Sequence, residues 1–148
     1  MSNKWANLKY TIPAGFDDIT AEENKNVDGV NEAYGVYISG DEDSGAIIDF
    51  EKKGYDPDVP NNAKTYLEET ITSWKNNSDM AVSASEISQM NIGGINYWVV
   101  SLVSQDSYET LYLNVAIADH DGYYIKMTFG SESLEYLSRL TAGLGALS

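Results

Sequence analysis

The single histidine, His120, stands between Asp119 and Asp121, a combination from which acid–base chemistry or a metal site can be built. A triad would also need a serine nucleophile, and no Gly-x-Ser-x-Gly elbow is present. Lone histidines in short polar turns are mostly exposed turn residues, and His120 is read that way. A second candidate is Asp41-x-Asp43-x-Gly45, which offers calcium-type oxygen ligands. It lacks the third ligand spacing and the distant bidentate glutamate of an EF-hand, so a hairpin turn is read ahead of a cation site. Carboxylates abound, with 23 Asp plus Glu. A hydrolytic pair needs two of them roughly 5–10 Å apart in a cleft, which counting does not establish.

The aromatics are the sharper signal. Eleven Tyr and three Trp offer flat apolar faces with polar tips, suited to stacking on sugars, peptides or protein partners. Trp98, Tyr112 and Tyr124 fall in strand-like segments and are the candidate binding residues. The competing reading is core beneath a helix, which β-propensity alone would favour.

These residues must be positioned by the elements around them. Residues 8–12 alternate with period two and read as a strand ended by Pro13-Ala14-Gly15. Residues 17–32 are polar and read as a loop, with one helical turn after Thr20. Residues 34–39 and 46–51 read as two strands of a hairpin, and 54–60 as a loop. Ala63, Tyr66, Leu67, Thr70, Ile71 and Trp74 make one continuous helical face, capped by Asn61 or Asn62. Four strands follow at about 82–90, 95–104, 108–118 and 122–129, with turns at Gly93-Gly94, 105–107 and 119–121. Leu111, Leu113, Val115 and Ile117 are assigned to one apolar face with Tyr123, Ile125, Met127 and Phe129. Ser131 is the expected cap of a closing helix over 132–144 with a leucine stripe.

Length, 148 residues, fits a single domain over 1–148 with its core at about 8–147. Nine Lys plus Arg against 23 acids give a net charge of −14, which repels nucleic acid and anionic membrane surfaces. Without cysteine there are no disulfides, thiolate metal sites or cysteine nucleophiles. No apolar run reaches the roughly 18 residues a membrane helix needs. No leader opens the chain, so an export signal or lipid anchor is absent from it or already removed.

The order β-β-β-α-β-β-β-β-α, opened by Tyr10-Thr11-Ile12-Pro13-Ala14-Gly15-Phe16, resembles the PsbP-like family. Gly93-Gly94 before a long strand, the Asp121-Gly122-Tyr123-Tyr124 hairpin and the leucine-rich final helix carry the same likeness. That family includes the extrinsic photosystem II subunit, a nuclear Ran-binding release factor of the same fold, and many secreted bacterial proteins. The resemblance implies an antiparallel sheet between helices and implies no functional residue. The expectation is an α+β fold, an α/β/α sandwich about a twisted antiparallel sheet of about 6–7 strands. The expected function is a non-catalytic, extracytoplasmic binding or accessory domain for a protein or glycan, secreted or lipid-anchored, with no cofactor and no metal. A carboxylate-dependent hydrolase and a cytoplasmic adaptor for a protein partner are the alternatives. Oligomeric state is left open.

Overall fold

The computed structural model describes residues 2–18, 32–38, 44–77 and 80–148. Its centre is the segment where apolar residues alternate longest: β8 (Ile95–Gln105), β9 (Thr110–His120) and β10 (Tyr123–Ser131), three antiparallel neighbours. Asp121 and Gly122 form a two-residue turn between β9 and β10, both at positive φ, as a right-twisted hairpin requires. Outward from β10 come β5 (Gly45–Lys52), β4 (Glu32–Ile38) and β3 (Phe16–Asp18). On the other side β8 pairs with β6 (Ala81–Ala84) and β7 (Ser88–Ile92), completing an eight-stranded sheet among the described residues. A small second sheet joins β1 (Ser2–Asn3), β2 (Leu8–Tyr10) and β11 (Leu144–Ala146), bringing the two ends of the described chain together.

One helix covers each face. Helix α1 (Ala63–Asn77) packs on β9, β8 and β6 with Ala63 and Leu67 fully buried and Tyr66, Ile71 and Trp74 beside them, the face its spacing predicts. Asn62 caps it, its side-chain oxygen accepting from the Thr65 N–H at 2.8 Å. Helix α2 (Leu134–Ala142) lies on β10 and β9 and buries Leu137 and Leu140. The α+β sandwich is therefore the expected one.

Several boundaries differ, each for a physical reason. Helix α2 is capped by Ser133, not Ser131; Ser131 ends β10, buried, with its hydroxyl 2.6 Å from that of Ser44. The helix stops at Ala142 because Gly143 and the strand β11 follow it. A Cβ on Gly143 would lie 2.3 Å from the Thr11 carbonyl, so only glycine permits that crossing. The 82–90 segment is two strands rather than one. Asp17 and Asp18, read as loop, extend β3. Asp119 and His120 belong to β9 rather than to the turn. The loop and helical turn expected after Thr20, and the acidic turn with Asp41 and Asp43, lie outside the described residues.

The assignment of one apolar face in β9 and β10 is corrected by the register. Ile125 pairs with Ala118, Met127 with Ala116 and Phe129 with Asn114. Cross-strand partners share a face, so odd residues of β10 lie with even residues of β9. Leu113, Val115 and Ile117 face α1 together with Tyr124, whereas Ile125, Met127 and Phe129 face α2 together with Ala116 and Ala118. The sheet is apolar on both faces because both are covered.

Two buried tyrosines in the α2-side core make a test of this packing. The Tyr10 hydroxyl donates to the Leu140 carbonyl at 2.6 Å, while the Tyr97 hydroxyl finds no partner among the described residues. Tyr10→Phe should cost about 1–2 kcal/mol, and Tyr97→Phe should be neutral or stabilising by up to about 1 kcal/mol. Urea unfolding of the two variants checks the contrast; equal losses would show that Tyr97 is hydrogen-bonded after all.

Candidate functional site

Three tight features meet at one end of the large sheet: the Gly93–Gly94 turn, the Asp121–Gly122 turn and the first turn of α1. Gly93, Gly94 and Gly122 all have positive φ, and a Cβ on Gly93 would lie 2.4 Å from the Asn7 carbonyl. Between these features opens a depression of about 330 Å³ lined by Gly94, Ile95, Asn96, Trp98, Asp119 and His120. Trp98 is half-buried in β8 on the α1 side, and the Lys64 ammonium stands 5.2 Å from its ring centroid. Asn96 points its side-chain oxygen at the Asn91 amide, 2.8 Å away.

Asp119 and His120 are both engaged. One Asp119 carboxylate oxygen pairs with Lys53, and the other accepts from the Ala63 N–H at 3.1 Å, where the positive end of the α1 dipole favours it. His120 Nε2 lies 2.9 Å from the Trp5 carbonyl. A carbonyl only accepts, so Nε2 carries the hydrogen. The imidazole rests on the Trp5 ring at 4.6 Å, and Trp5 in turn meets Phe50 and Tyr123 edge-on. His120 is therefore half-buried and latched to the N-terminal segment, not a freely exposed turn residue. The Asp121 carboxylate lies 3.5 Å from Nε2. Among the described residues no group of three or more His, Asp or Glu converges as a metal cage.

The candidate aromatics do not form one patch. Tyr124 is 1% exposed, stacked edge-on against Tyr66 at 5.0 Å, with its hydroxyl donating to the Pro60 carbonyl. Burial first, then the charges of Asp119 and Glu51, pushes its phenol up to about 12. It is a core residue that ties the loop before α1 to the sheet. Tyr112 lies on the opposite face, half-buried against the α2-side core. Of the three, Trp98 borders the depression. Asn96, two residues before it on β8, carried no sequence signal, and Asp119, met in the sequence only as a flank of His120, is brought beside Trp98 from β9 by register.

A second polar cluster sits beside α1. Lys126 is 3.3 Å from Glu51 and 4.0 Å from Asp49, and its ammonium lies 5.1 Å from the Tyr66 ring centroid. The Tyr66 hydroxyl donates to Glu51 at 2.8 Å. Burial works against the Lys126 charge, but Asp49, Tyr66 and Glu51 outweigh it and hold the ammonium above its ordinary range. Burial chiefly raises the Tyr66 phenol. With each charge answered by a partner, the cluster reads as a strut between β5, β10 and α1.

No protein-family model matches the chain, and no curated protein matches it in sequence. Solved structures do. The cyanobacterial PsbP protein CyanoP of Synechocystis superposes with a TM-score of 0.63 at 7% identity, over 99% of this chain and 90% of that one. A Bacteroides thetaiotaomicron protein gives 0.52 at 15% identity, over 96% of this chain and 45% of its own length. LpqN of Mycobacterium tuberculosis, involved in cell envelope biogenesis, gives 0.50 at 11% identity over 93% and 82%. The chain has a PsbP-like fold. Among the described residues no helix is long and apolar enough to cross a membrane.

Proposed function

We propose that this chain is a non-catalytic, extracytoplasmic binding or accessory domain that engages a glycan or protein ligand at the Trp98 depression. The observation that carries the reading is the placement of a half-buried indole beside Asn96, Asp119 and His120 in an open concavity. An aromatic face with planar polar groups at its rim suits a sugar ring or an amide-bearing side chain. Recognition fits these groups better than hydrolysis does. Both Asp119 oxygens already answer a lysine and a helix N-terminus, leaving no poised acid or base there. The envelope role of LpqN supports an extracytoplasmic setting.

Glycan and peptide arrays probed with the wild-type chain and with Trp98→Ala test the proposal. Ligands of the wild type should bind the variant at least about tenfold more weakly, as for other aromatic anchors, with thermal unfolding little changed. Equal binding by both proteins would sink it.

A further inference from the structure

Beyond the Trp98 depression, one margin of the large sheet carries a separate signal. Strands β6 and β7 pair with β8 and, among the described residues, with nothing on their outer side. Residues 81–92 are mostly exposed, and Glu86 is their single charge; they contain no Lys, Arg or Pro. In a chain that is 22% charged this is a bare edge. Natural sheets guard such edges with lysines, prolines or a covering element, because unpaired backbone groups recruit other strands.

The register shows which backbone groups point away from β8. A two-residue turn makes Ile92 and Ile95 a hydrogen-bonded pair, and alternation back along β7 turns the backbone groups of Gln89 and Asn91 away from β8. On β6 the Ser85 N–H bonds the Ser101 carbonyl at 2.9 Å, so the backbone of Ala84 and Val82 turns outward likewise. Ala84 lies opposite Leu102 and Ser88 opposite Val99, so three edge residues (85, 86, 87) face two on β8 (100, 101). That bulge puts Glu86 at the middle of the edge.

Just inside the edge, on the α2 side, is a cleft of about 180 Å³ with Met90 at its margin and Val99, Ala116 and Phe129 among its lining. A neutral polar rail runs along it. The Ser101 hydroxyl donates to Asn114 Oδ1 at 2.8 Å, and Asn114 Nδ2 donates to the Thr141 hydroxyl at 3.1 Å. None of the residues lining this cleft is ionisable.

We infer that the 81–92 edge docks an extended, largely uncharged peptide segment of a partner protein by strand addition. A cationic residue of the segment lies opposite Glu86, and an apolar side chain passes Met90 into the cleft. Charge decides against a second copy as the occupant. A two-fold pairing of this edge with itself brings the two Glu86 side chains together at its centre, and each copy carries −14.

The probe is a blocked synthetic peptide alternating threonine and valine around one central lysine, added to the full chain and followed by amide NMR and hydrogen exchange. Expected is protection of the outward amides of Val82, Ala84, Gln89 and Asn91. Affinity should fall by about tenfold or more in Gln89→Pro, which removes an outward donor, with the unbound spectrum otherwise preserved. Glu86→Lys should reverse the preference toward a glutamate-centred peptide. Three outcomes would overturn the proposal: no binding of either peptide, protection confined to another surface, or self-association of the free chain that Gln89→Pro abolishes.

Discussion

Ile125→Ala should lower the unfolding free energy by about 2–5 kcal/mol, and Leu113→Ala by a comparable amount. Ile125 is fully buried in β10, the strand whose neighbours on both sides are themselves paired, so surrounding backbone cannot collapse into the space left behind. Leu113 is 5% exposed and lies in the other cluster, beneath α1. One of its methyls sits 2.9 Å from where a Cβ on Gly130 would stand, so it fills the gap that glycine leaves. The two clusters are on opposite faces, and the two losses should add in the double variant. Urea titrations of the three variants beside the wild type check this. A neutral result for Ile125→Ala would mean that β10 is not the centre of the core.

The second large effect is expected at alkaline pH. Burial raises the phenols of Tyr10 and Tyr97 beyond the usual tyrosine range, Tyr124 is pushed up to about 12, and Tyr66 is raised as well. In the unfolded chain each phenol releases its proton near the ordinary value of about 10. Stability from these groups is therefore complete below pH 10 and is lost as pH rises through the folded values. Lys126, held above its ordinary range, acts in the same direction. Tyr124 alone contributes up to about 2 kcal/mol, and the buried tyrosines together should lower stability by several kcal/mol between about pH 9 and pH 12. Urea midpoints across that range, with tyrosinate absorbance as a second signal, supply the measurement. A flat midpoint, or ionisation of all tyrosines near 10 in the folded protein, would contradict the burial assigned to them.

Local chemistry made much of this architecture legible. The spacing from Ala63 to Trp74 specified which face of α1 is buried, because a helix repeats within a few residues. Asp121-Gly122 and Gly93-Gly94 specified two hairpins, because few residues adopt positive φ cheaply. What failed was parity across a turn. A two-residue loop sets odd positions of β10 beside even positions of β9, so runs that both look apolar belong to different faces. The same parity sets Tyr112 and Tyr124 on opposite faces of the sheet. The small sheet was illegible for another reason: β2 and β11 are drawn together by pairing across nearly the whole chain, which no short window encodes. At the depression, Trp98 was legible as an aromatic in a strand. Asn96 was not, being one polar residue among many, and Asp119 was legible only as a flank of His120, since its place beside Trp98 comes from register and from the N-terminus of α1.

The most direct test of the binding reading follows the three indole N–H resonances during titration with a ligand found on the arrays. Trp5, Trp74 and Trp98 lie in different places, with Trp5 at the N-terminal latch and Trp74 at the far end of α1. Single Trp→Phe variants assign the three signals. Trp98 should shift with saturation, the Asn96 side-chain amide should follow it, and Trp74 should stay still. A ligand that saturates the protein while Trp98 and Asn96 remain unmoved would contradict it.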